Sequence, residues 1–175
     1  MWKEYQNRYP NRKACDPIWR IRLNSLPIGS RLRHWNIPNR TAEFCGFCPG
    51  VIQNHAHLFW SCPVAQQLWN AIGTLAAIAW PKWNLHNNPP SYEDLLWGMP
   101  ASGFNNNNAE QAWKCYVECA IRALRIARYN NKLSNANYNV AIVASTFLAL
   151  LSATLDLVYL DLRSQNKDTT EFIRE

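Results

Sequence analysis

The stretch FCGFCPGVIQNHAHLFWSCP, residues 44–63, gathers Cys45, Cys48 and Cys62 with two histidines, His55 and His57, into one turn-rich segment. Read as C-x2-C-x8-H-x4-C, a CCHC pattern, it has the residue types and spacing of a structural zinc site. Zinc takes four soft or borderline ligands in a tetrahedron, and three thiolates with one imidazole is a standard set. Cys45 and Cys48 are close enough for one tight turn to present both sulfurs to a single ion, and Gly46 eases that turn. The imidazole is that of His57 or, two residues earlier, His55. Phe47 and Phe59 can pack over the site and keep it dry. Such a site is closed: it leaves no position for water or substrate, so the expected Zn²⁺ serves folding and presentation rather than hydrolysis.

Working outward, Pro63 opens a helix, VAQQLWNAIGTLAAIAW, whose apolar stripe is Val64, Leu68, Trp69, Ile72, Leu75 and Ile78. On the N-terminal side, Asp16-Pro17 signals a helix start, with Ile18, Trp19, Ile21, Leu23 and Leu26 apolar. Leu26-Pro27-Ile28-Gly29 breaks that helix, and Ser30 caps a second short one holding Leu32 and Trp35. Residues 81–109 read as an Asn/Pro-rich linker with a short helical attempt at Tyr92–Trp97. A long helix spans about 110–132, with Lys114, Glu118, Arg122, Arg125, Arg128 and Lys132 on one face and Trp113, Val117, Ala120, Ile121 and Leu124 on another. A last helix runs over about 139–163. Its stretch Val140–Leu155 lacks charge, but it is shorter than the roughly 20 apolar residues of a spanning segment. Ala141, Ser145, Ala149, Ser152, Asp156 and Arg163 give it a small and polar seam, so it reads as a buried core helix rather than a membrane span. Cys15, Cys115 and Cys119 read as core thiols.

The expected fold class is therefore mainly α: short helices around a compact Cys3His zinc-binding turn, followed by a C-terminal helical hairpin. The expected organisation is a basic polar arm (1–14), a zinc-binding domain (15–80), a linker (81–109), a two-helix region (110–163) and a polar tail (164–175). The chain of 175 residues is 48% hydrophobic and 17% charged, which is rich enough in apolar residues for a core and excludes wholesale disorder. The start, MWKEYQNRYPNRK, has no apolar core of a secretory signal. The expected location is intracellular, nuclear or cytoplasmic, where thiols stay reduced. Net charge is +6, and residues 1–43 alone carry nine Lys or Arg against three acids. A basic segment beside a compact fold suits a polyanion, or it is simply a solvated surface.

At this point the chain resembles the zinc-binding domain of reverse transcriptases, found at the C-terminal end of non-LTR retrotransposon polyproteins. The likeness begins at IWRIRLNSLPIGSRLRHWNIP and continues through Cys45, Cys48, His57-Leu58-Phe59, Cys62, Ala65 and Leu68-Trp69. It is strong over about residues 15–70, and beyond them it is loose. The resemblance implies that the metal ligands are Cys45, Cys48, His57 and Cys62. Where the family usually has an acid and a hydroxyl before the histidine, this chain has Gln53 and Asn54, a departure that weakens support around the ligands rather than the ligands themselves.

The polymerase itself is not implied. Two-metal phosphoryl transfer needs paired carboxylates, and Tyr159-Leu160-Asp161-Leu162 offers only one. No Gly-rich phosphate turn or nucleophile–base order is present either. The expectation is a non-enzymatic nucleic-acid-binding module, a fragment or remnant of a transposable element with no small-molecule substrate. Arg31, Arg33 and Arg40 would contact phosphates, and Trp35, Phe44 and Phe47 would stack on bases of single-stranded RNA or DNA. The alternative is a protein–protein interaction module built on the Trp-rich surface that nine tryptophans imply, docking on a polymerase domain in cis or in trans.

Overall fold

The computed structural model describes residues 12–29, 31, 43–79, 91–97, 107–134 and 139–164. Helix α1 spans Arg12–Arg22 and carries Pro17 in its interior, so it begins a turn before the Asp16-Pro17 signal. Asp16 is not its cap: both carboxylate oxygens accept from Arg20 Nε, at 3.0 and 2.9 Å, one turn further on. Proline removes one helical hydrogen bond, and burial of Ile18 and Ile21 directly after it offsets that loss. The helix ends on Asn24 in the left-handed region, φ 50°. Ser25 N–H donates back to the Arg20 carbonyl and Asn24 N–H to that of Ile21, the paired closure of a Schellman end. Leu26 and Ile28 then turn into the core as the chain breaks away. The expected second short helix, with Ser30, Leu32 and Trp35, lies outside the described residues apart from Arg31.

Helix α2, Pro63–Ala79, takes Pro63 at its first position, as expected. It buries Ala65, Leu68, Trp69, Ile72 and Ala76, whereas Leu75 and Ile78 of the expected stripe are exposed. Short α3, Tyr92–Trp97, opens on a reciprocal cap. Ser91 Oγ accepts from Asp94 N–H at 3.1 Å, and Asp94 Oδ2 accepts from Ser91 N–H at 2.7 Å.

Helix α4, Asn107–Ser134, is the centre of the molecule. The charged face read from its periodicity is solvated only in the second half. Every residue from Ala112 to Ile121 is buried, including Lys114, paired to Glu110, and Glu118, with Arg122 at 3.7 Å. Neighbours pack on all sides there, so helical periodicity cannot mark an outward face. Helix α5, Val140–Ser164, is capped by Asn139, whose Oδ1 accepts from Ile142 N–H at 3.0 Å. It lays Val143, Phe147, Leu151 and Thr154 against the core. Phe147 meets Tyr116 at 6.1 Å between ring centroids, and Cys119 Sγ lies 3.6 Å from Thr154 Oγ1. The expectation of a buried core helix is met only along this seam: Ile142, Leu148, Leu155 and Leu157 are exposed. By length and composition Val140–Leu157 could cross a membrane.

Among the described residues there is no strand, only an isolated antiparallel bridge between Phe44 and Ile52. One continuous hydrophobic cluster contains Ile18 and Ile28, the ligand-region residues Cys45, Phe59 and Cys62, and Trp113, Leu124 and Phe147 of the long helices. The metal-bearing turn and the C-terminal helices, read as separate segments, therefore share one core.

Candidate metal centre

Two backbone devices bring the four side chains together. The first is the turn after Phe44. Cys45 N–H donates to the Val51 carbonyl at 2.8 Å, Val51 N–H returns to the Cys48 carbonyl at 3.2 Å, and Gly50 supplies the positive φ of 75° that closes it. Phe47 N–H points at Cys45 Sγ, 3.4 Å away. The second is a π-helical turn over His57–Ser61. His57 and Cys62 are five residues apart, a separation that on an α-helix would splay them by about 140°. The wider turn aligns them instead, with Cys62 N–H donating to the His57 carbonyl at 2.8 Å. Cys62 is extended (φ −64°, ψ 133°), and its carbonyl accepts the first bond of α2 from Gln66. The second ligand pair is thus carried by the start of that helix.

The three thiol sulfurs and one imidazole nitrogen of Cys45, Cys48, His57 and Cys62 all lie within 4.8 Å of one another. Cys62 Sγ is 3.9 Å from Cys45 Sγ and 3.7 Å from Cys48 Sγ. A tetrahedral ion with metal–sulfur bonds of about 2.3 Å, the zinc value, requires about 3.8 Å between sulfurs. His57 Nε2 is buried without a hydrogen-bond partner, the kind of orphaned atom that a metal would satisfy. A hydrogen bond from Cys62 pulls the Cys45 thiol well below the usual range, helped by Phe47 N–H and His57, and the same contact pushes Cys62 up. Burial raises Cys48. A dication held by Cys45, Cys48, His57 and Cys62 would remove this conflict by favouring the thiolate form of all three sulfurs.

His55 is not in the cluster. It is buried, hydrogen-bonds the Leu26 backbone, and has its pKa lowered chiefly by burial. It anchors the break after α1 and leaves His57 as the cluster's imidazole. Asn54 corrects the expectation of weakened support. Its Oδ1 accepts from His57 N–H at 2.7 Å, capping the helical residues 55–56 that lead into the π-helical turn, as a hydroxyl would. Gln53, fully buried, accepts from Arg128 Nε of α4. Burial lowers the Arg128 pKa, while the nearby Cys45 sulfur opposes the shift. Gly46 has a reason that the sequence did not disclose: a Cβ there would sit 1.9 Å from Asn131 Oδ1. The metal loop leans on the last turns of α4, and no pattern in residues 44–63 signals that contact.

Of the expected nucleic-acid contacts, Arg33, Trp35 and Arg40 lie outside the described residues. Arg31 donates through Nε to the Asn24 carbonyl, Phe44 is exposed, and Phe47 packs partly against the core. Cys115 and Cys119 are buried core thiols, pushed up to about 12 and 11 by desolvation. The Cys15 side chain lies outside the described residues. Trp69 and Trp113 are buried and meet tilted at 6.5 Å between ring centroids, so these members of the expected Trp-rich surface belong to the interior, while Trp60, 6.0 Å from Trp69, is half-buried.

No curated protein and no solved structure matches the chain. Residues 1–69 match the model of the family described as zinc-binding in reverse transcriptase, a span that contains all four members of the metal cluster.

Proposed function

We propose that this chain is a zinc-stabilised, non-catalytic module that binds single-stranded RNA or DNA. The observation that carries the reading is the closed Cys3His cluster, whose sulfur spacings of 3.7 and 3.9 Å suit tetrahedral zinc. Four protein ligands leave the ion no open position, so its task is to hold the loop that presents the exposed Phe44, with the half-buried Phe47 beside it. The charge of residues 1–43, nine Lys or Arg against three acids, supplies phosphate contacts through Arg31, Arg33 and Arg40, with Trp35 beside them. Single strands suit the module better than duplex, because α2, the helix that follows the ligands, has no Lys or Arg with which to read a groove. The non-catalytic reading is supported by the single Asp161 where two-metal phosphoryl transfer needs paired carboxylates. The module works inside the cell, in the nucleus or cytoplasm, beside a polymerase domain in cis or in trans, as its retrotransposon likeness implies.

Metal analysis of the purified chain should give one zinc per molecule, lost in Cys48→Ser and kept in Cys115→Ser. Neutralising Arg31, Arg33 and Arg40 together should weaken binding of all single strands alike. It should also lower the logarithmic salt slope by roughly 2, at about 0.7 per phosphate contact. An unchanged slope would make the basic segment a solvated face. A second reading, docking on a protein partner, is favoured by the exposed Ile142, Leu148, Leu155 and Leu157 of α5. It predicts binding that salt does not weaken.

A further inference from the structure

We propose that the groove between the Leu26-Pro27-Ile28 break and α4 is a single-strand subsite, holding phosphodiester on Arg122 and Arg125 and a base on Tyr129. This rests on the nucleic-acid reading above, but it places contacts on a helix that lies outside the family match. The cavity is about 410 Å³, the size of a pocket for one small-molecule-sized group such as a nucleotide unit. Among the described residues, its lining contains three arginines, Arg122, Arg125 and Arg128, and no acid.

The spacing is what a helix needs to present these groups together. Residues 122, 125 and 129 are three, four and seven apart, so they follow one face. Arg128 is committed to Gln53 and fixes the metal loop at one side of the groove. Arg122 and Arg125 lie further along the same wall. The nearby carboxylates do not cancel this field. Asp16 is engaged by Arg20, and the buried Glu118 is paired with Arg122, so among the described residues Arg20, Arg122, Arg125 and Arg128 outnumber these two acids. The floor is apolar, made of the buried Leu26, Ile28 and Leu58. Tyr129 is 63% exposed, a large ring at the rim of a cationic groove. Cations tracking a backbone beside an open aromatic platform are the recurring means of holding single strands without regard to sequence.

The test uses the full zinc-loaded chain with fluorescent oligo(dT) and oligo(U), titrated at several salt concentrations. Arg125 and Tyr129 are both exposed, so Arg125→Gln and Tyr129→Leu should keep zinc content and helical circular dichroism. Tyr129→Leu should weaken both oligomers roughly fivefold or more with the salt slope unchanged, because stacking is lost and no charge is. Arg125→Gln should lower the slope by about 0.7, and Arg125→Lys should restore it. If Arg125→Gln fails to hold zinc, Tyr129→Leu decides. Parental affinity and slope in both variants, with the parent chain binding, would overturn the subsite while leaving the nucleic-acid reading intact. No binding of either oligomer by the parent would remove that reading, and the subsite with it.

Discussion

Gly29→Ala and Gly73→Ala should shift stability in opposite directions, although both replace a glycine by alanine. A Cβ at Gly29 would lie 2.1 Å from the Glu43 carbonyl oxygen and 2.8 Å from that of Gln53. Real Cβ contacts essentially never fall below 3.0 Å, so the Glu43 carbonyl must retreat by about 0.9 Å or more. That carbonyl accepts the Gln53 N–H at 2.8 Å, in the pairing that also holds the Phe44–Ile52 bridge and sets Cys45 over the site. Overpacking costs about 1–3 kcal/mol and the strained hydrogen bond about 1 more, giving a loss of about 2–4 kcal/mol. Gly73 sits in the interior of α2 with nothing within 4 Å of a Cβ, so alanine there should stabilise by about 0.5–1 kcal/mol through helix propensity. Urea denaturation of the zinc-loaded chain, followed by circular dichroism, measures both as midpoint shifts at constant slope. Equal midpoints for Gly29→Ala and the parent would refute the close approach of the α1 break to the metal loop.

Asn54→Ala should cost about 1 kcal/mol and speed zinc loss to a chelator, because the helical turn leading into His57 loses its cap, while Asn54→Ser should retain most of both. Chelation followed by hydrogen exchange should lower protection in residues 44–69 and also in the second half of α4, since Arg128 and Asn131 rest on the metal loop; protection unchanged in α4 would separate the two. Thiol labelling near pH 8 should leave Cys115 and Cys119 unmodified in the zinc-loaded chain, because desolvation holds their thiols protonated until the pH approaches 11 to 12; mass spectrometry would locate any label.

The sequence alone determined what is local. Three cysteines and a histidine within eighteen residues can be matched to tetrahedral coordination by spacing alone, and the helix start at Pro63 is a signal carried by adjacent residues. Tertiary structure decided what depends on who stands opposite. His55 and His57 are indistinguishable by distance along the chain. They separate because the Leu26 backbone takes one, while the π-helical turn carries the other to the sulfurs. Periodicity laid Lys114 and Glu118 on the same face as Arg122 and Arg125. Burial on all sides removes any outward face between Ala112 and Ile121, and the charged face meets solvent only beyond them. Gly29 and Gly46 read as turn residues, yet at both a carbonyl or amide oxygen occupies the space of a Cβ. Such contacts between residues far apart in sequence leave no periodic trace. The arginine-lined groove is of the same kind, since it exists only because the break after α1 and the end of α4 face one another.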